Sequence, residues 1–120
     1  MAYYVDGFVL PVPKKNLAAY RRLARKAGRI FHELGALEYR EGVGDDLDVQ
    51  VGLPFPRGIK TKAGETVGFS WIACKSSAHR DRVNARAMKD PRIAALCDPK
   101  NMPFDCQRML YGGFRTIVEA

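Results

Sequence analysis

No window of this chain approaches the ~18 apolar residues that a membrane-spanning helix requires. The opening MAYYVDGF lacks the basic start and long apolar run of a secretory leader, so none is expected. Cysteine is scarce: Cys74, Cys97 and Cys106 are odd in number and form no CxxC pair. They read as three reduced thiols of a cytoplasmic protein, each expected to be a small buried hydrophobe. Histidine is scarcer still. His32 and His79 have no partner at metal-ligand spacing, so neither a metal nor a haem cofactor is expected. No Ser or Cys lies in a nucleophile motif, which argues against a hydrolytic triad. Internal repeats and low-complexity segments are absent. Acidic residues are outnumbered, thirteen against twenty Lys and Arg, for a net charge of +7.

What is present is enough for one ordinary domain spanning residues 1–120. A chain of 120 residues buries roughly two-thirds of its unfolded surface, so it needs no disulfide or metal to fold. Apolar residues make up 47% of it, which excludes wholesale disorder.

The apolar pattern divides the chain. Residues 3–12, YYVDGFVLPV, are aromatic and β-branched and predict a strand ended by Pro11 and Pro13. Asn16 is the expected cap of a helix in which Leu17, Tyr20, Leu23, Ala24, Ala27, Phe31 and Leu34 recur at helical spacing. Gly35 closes it. Arg21, Arg22, Arg25, Lys26 and Arg29 fill the remaining face, so this one helix surface accounts for five of the seven excess charges. Residues 36–44 alternate as a second strand. Residues 45–64 form a polar loop whose apolar Leu53, Phe55 and Ile59 suit a cover over something else. ETVGFSWIAC, 65–74, is the third strand. Ser76 or Ser77 caps a helix from Ala78 to Lys89, and PRIAALCD makes a further short helix after Asp90. The fourth strand is expected at about 107–118.

The order is βαββαβ with one elaborated connection. It predicts an α+β, ferredoxin-like fold: an antiparallel four-stranded sheet with both helices on one face. Alternation then exposes a problem. Val67, Phe69, Trp71 and Ala73 point one way, and Gly68, Ser70, Ile72 and Cys74 the other. Leu110, Gly112, Phe114, Thr116 and Val118 share one face, and Met109, Tyr111, Gly113 and Ile117 the other. Both faces carry large apolar residues, yet two helices cover only one. A second copy of the chain, giving a homodimer, is the expected cover. Gly112-Gly113, inside a strand, predicts a bend, a bulge or the close approach of another group.

Four stretches, YVDGFVLPVP, FSWI, KDPRI and MPFDCQRMLYGGF, resemble the uncharacterised bacterial family DUF1428, the YbaA-like proteins. The resemblance spans nearly the whole chain. It implies a dimeric α+β barrel, two four-stranded sheets packed into one barrel with helices outside. The family has no established activity, so the resemblance implies a fold and no reaction.

Candidate site residues therefore come from chemistry alone. Asp6 sits among apolar Val5, Phe8 and Val9, as a buried acid or base or as the partner of an arginine. Trp71 and Tyr111 lie mid-strand, where amphipathic aromatics line small-molecule pockets or pack a core. Together Asp6, Trp71 and Tyr111 are the expected lining of a pocket for a small hydrophobic molecule in the barrel. Whether an enzyme results stays open, as does a purely structural or regulatory dimer. Asp105 and Arg108 are expected to form a local ion pair before the fourth strand. An RNA-binding module is the alternative. VGFSWIAC partly matches an RNA-recognition strand with Phe69 and Trp71 on one face. Val67 replaces its basic residue and Cys74 its last aromatic, and the arginines cluster on the first helix, so nucleic acid is the less favoured partner.

Overall fold

The computed structural model describes residues 2–120. Strands β1 (Tyr4–Pro13), β2 (Glu38–Val43), β3 (Glu65–Cys74) and β4 (Leu110–Arg115) form one antiparallel sheet in the order β2-β3-β1-β4. Helix α1 spans Leu17–Glu33, a single turn α2 Phe55–Gly58, α3 Ser77–Lys89 and α4 Pro91–Leu96. This is the expected antiparallel α+β arrangement, with β3 at the bounds the alternation predicts. No helix among the described residues is long and apolar enough to cross a membrane.

Strand alternation sorts β1 into two sets. Leu10 and Val12 are buried with Tyr20 and Ala24 of α1. Ile72 and Cys74 of β3 are buried with Ala36 and with Val83 of α3. Phe8 packs against both groups and joins them into one helix-covered core. The helix ends follow local chemistry. Gly35, at φ +117°, takes the left-handed conformation that a side chain disfavours, and α1 stops there. Ser76 caps α3 by accepting from His79 N–H, and Asp90 caps α4 by accepting from Arg92 N–H.

Several local expectations change in tertiary context. Asn16 stands at the cap position of α1, but its amide donates to Pro103 O at 3.0 Å instead of capping. It thereby fastens the segment that leads to β4. Strand β4 is shorter than expected because Tyr4, at the start of β1, already pairs with Arg115 and leaves later residues without a neighbouring strand. Residues 106–108 wind into a 3-10 turn instead. Cys74 is buried, whereas Cys97 and Cys106 are exposed, because they lie at the end of the short α4 and in that turn. Arg108 does not pair with Asp105. It reaches Glu65, at the start of β3, through bonds of 2.7 and 2.9 Å, and Lys60 O at 3.0 Å. Asp105 caps the 3-10 turn.

Hydrogen bonds from Arg108 and then from Lys62 N–H hold the Glu65 carboxyl down to about 2, against an ordinary 4.5. A carboxylate depressed in the folded state stabilises fully above its unfolded value and loses that contribution as pH falls through its folded one. Stability should therefore decline between pH 4.5 and about 2. Arg108→Ala should lower stability at neutral pH and flatten that decline. Urea unfolding across this pH range checks both outcomes.

Candidate functional site

The other face of the sheet is built from Val5, Gly7 and Val9 of β1, Phe69 and Trp71 of β3, and Leu110, Gly112 and Phe114 of β4. Cross-strand register sets its centre: Gly7 lies opposite Gly112 on one side and Trp71 on the other. Two adjacent strands thus lack a side chain at the same level, leaving bare backbone about 4.8 Å wide between them. A Cβ on Gly7 or Gly112 would meet only the Phe114 ring, at 3.4 and 3.8 Å, so the Phe114 side chain leans over the glycine floor. The result is an apolar concavity of about 610 Å³ walled by Phe69, Trp71, Leu110 and Phe114. Phe69, Leu110 and Phe114 are 46, 56 and 64% exposed. Phe55, on α2, meets Phe69 edge to face at 6.2 Å, so the 45–64 loop does reach this face, although Leu53 stays exposed.

Trp71 donates its indole N–H to Glu38 Oε1 at 2.9 Å and packs edge to face on Phe69 at 5.9 Å. That hydrogen bond, followed by one from Arg40, holds the Glu38 carboxyl below its usual range. The ring is locked at the rim with its apolar edge available.

Asp6 and Tyr111 meet on the opposite, helix-covered side. Asp6 is 2% exposed. Its Oδ1 accepts from Arg80 Nη1 of α3 at 2.7 Å, and its Oδ2 accepts from the Tyr111 hydroxyl at 3.3 Å. Arg80 also donates to the Tyr4 hydroxyl at 3.2 Å and lies over the Tyr4 ring, 4.8 Å from its centre. Burial and then the Asp6 carboxylate push the Tyr111 phenol up, so it stays protonated and donates. Both Asp6 oxygens are therefore engaged, and the group acts as a clamp between α3 and the sheet. Of the three candidates, Trp71 and Tyr111 border the concavity, but the Tyr111 phenol turns away to Asp6, and Asp6 does not reach it.

The paired glycines serve different faces. Register runs unbroken through both, so they mark no bulge. Gly112 floors the concavity, whereas a Cβ on Gly113 would overlap the Tyr4 hydroxyl that Arg80 holds. Sequence reasoning missed Arg80, Gly7 and Glu38. Gly7 alone left a signal, a glycine inside a strand. Among the described residues no group of three His, Cys, Asp or Glu is placed to hold a metal.

The family model for DUF1428, described as a protein of unknown function, matches residues 3–106. The chain belongs to the DUF1428 family. It is 41% identical over 116 residues to the uncharacterized protein YbaA of Escherichia coli K12, covering 97% of each chain, and equally to YbaA of Shigella flexneri. Among solved structures it resembles a NipSnap-family protein of unknown function from Agrobacterium tumefaciens, with TM-score 0.59 and 14% identity over 95% of this chain and 87% of that one. That likeness bears on the fold alone. These comparisons indicate no specific activity.

Removing Arg80 leaves Asp6 buried without its cation. Arg80→Ala should cost about 3–5 kcal/mol. Asp6→Asn with Arg80→Met should cost clearly less than Arg80→Ala alone, since no charge is then stranded. Chemical denaturation of the three proteins measures the difference, and equal losses would show that the pair is not a charge clamp.

Proposed function

We propose that the protein is a homodimeric α+β barrel that holds a small, flat, hydrophobic molecule between the open faces of two sheets. The glycine-floored concavity carries this reading. Apolar surface left in water forfeits roughly 25 cal/mol per Å², and a contiguous apolar face of this kind marks an interaction site. A second copy supplies a matching apolar face. The likeness to the NipSnap-family structure supports the arrangement, since that fold is a dimeric α+β barrel. Gly7 and Gly112 would leave a gap between the meeting faces at one level, where a planar ring fits beside Trp71 and Phe114.

The lining supports holding a molecule more than transforming it. Tyr111 is its one titratable residue, and that phenol is committed to Asp6. The RNA reading has less support. Arg21, Arg25 and Arg29 belong to α1, across the sheet from Phe69 and Trp71, and Arg40 pairs with Glu38.

Light scattering at micromolar concentration should give twice the 13.4 kDa chain mass. Trp71 is the sole tryptophan, so its fluorescence reports the site directly. Titration with 1,4-naphthoquinone should quench it. Gly112→Leu, which fills the floor, should weaken that response about tenfold or more, a change of ~1.4 kcal/mol. Trp71→Phe should remain a folded dimer. A stable monomer would sink the barrel; a dimer whose fluorescence ignores a panel of flat aromatic ligands would remove the ligand.

A further inference from the structure

The two walls of the concavity are held in different ways. Phe69 and Trp71 belong to a chain of fixed contacts. Phe55 meets Phe69 edge to face at 6.2 Å, and Phe69 meets Trp71 at 5.9 Å. The Trp71 indole N–H reaches Glu38 at 2.9 Å, and Arg40 donates to the same carboxylate at 3.3 Å. Phe114, on the facing wall, has no such support. Among the described residues no aromatic ring stacks on it or meets it edge to face. It is 64% exposed, on a strand at the edge of the sheet.

What Phe114 touches is the floor. It lies opposite Val5, and Gly112 lies opposite Gly7, so Gly7 is its diagonal neighbour across the strand pair. An aromatic side chain reaches that far. A Cβ on Gly7 would meet the Phe114 Cε1 at 3.4 Å, and a Cβ on Gly112 would meet its Cε1 and Cζ at 3.8 and 3.9 Å. Bare backbone on two adjacent strands is thus covered by one phenyl ring.

We propose that Phe114 is a built-in plug: in the empty site its ring takes the place of a ligand's ring on Gly7 and Gly112, and it lifts away when the ligand binds. The claim rests on the binding reading above, and it names the residue that sets affinity there. Two side-chain torsions move the ring, and an exposed side chain changes rotamer within nanoseconds, so the plug does not slow entry. A ligand ring recovers the contact that Phe114 gives up. It also gains the flank of Trp71, with which Phe114 makes no ring pair. The competition lowers apparent affinity by the fraction of time that the floor is clear. It also sets the ligand class. The vacated space has the shape of a phenyl ring between apolar walls, so it suits an uncharged benzenoid ring.

Fluorescence of Trp71 in the dimer, titrated with 1,4-naphthoquinone, tests the plug by comparing wild type with Phe114→Ala. The variant should bind at least about threefold more tightly, the gain expected when the wild-type floor is clear for about one third of the time. Toluene should raise the melting temperature of Phe114→Ala more than that of the wild type, because only the variant has the floor free. A response in the variant alone would support the plug equally. If the wild type responds and Phe114→Ala binds no more tightly, Phe114 is a wall: the plug is wrong and the ligand site stands. A variant that no longer dimerises would make the ring interface packing and also overturn the plug. If neither protein, as a dimer, responds to naphthoquinone or toluene, the ligand site falls and the plug with it.

Discussion

A sheet with large apolar side chains on both faces needs two covers, and the helices of this chain supply one. Everything else in the molecule is arranged around that imbalance. On the covered face, Leu10, Val12, Ile72 and Cys74 reach near-complete burial under α1 and α3. On the other, burial is confined to Pro11 of β1 and to Val67 and Ala73 of β3, while the middle of the sheet stays open. Alternation makes the two faces inseparable, because a strand cannot bury one set of side chains without presenting the other.

The charged clamp is the counterpart of this packing. Asp6 sits in the middle of the helix-covered face, where an unpaired carboxylate would be very costly. Arg80 reaches it from α3, and Tyr4 and Tyr111 complete the hydrogen bonding, so the charge also fixes how α3 lies on the sheet. Gly113 belongs to the same device, since only a residue without a side chain leaves room for Tyr4. The dense run MPFDCQRMLYGGF thus serves both faces at once: Tyr111 and Gly113 on the clamp, Gly112 and Phe114 on the open side.

Membership of DUF1428 brings no activity with it, so function must be argued from the site. The open face has shape and apolarity, and no acid–base pair points into it. Binding is the role this chemistry supports.

Sequence by itself determined the elements and their parity. Period-two and helical repeats are local, and they placed β3 at its bounds, α1 up to Gly35, and Phe69 with Trp71 on one face. What they could not carry was the pairing of distant residues. Asp6 and Arg80 are 74 positions apart, Trp71 and Glu38 are 33, and Arg108 and Glu65 are 43. Each depends on strand register and on where a helix docks, which no local pattern encodes. The same reason separates Trp71 from Asp6. Both are mid-strand residues near apolar neighbours, but Asp6 lies opposite Ile72, one step from Trp71, and that single step puts them on opposite sides of the sheet. Only the tertiary structure decided which candidate belongs to the concavity and which to the clamp beneath it.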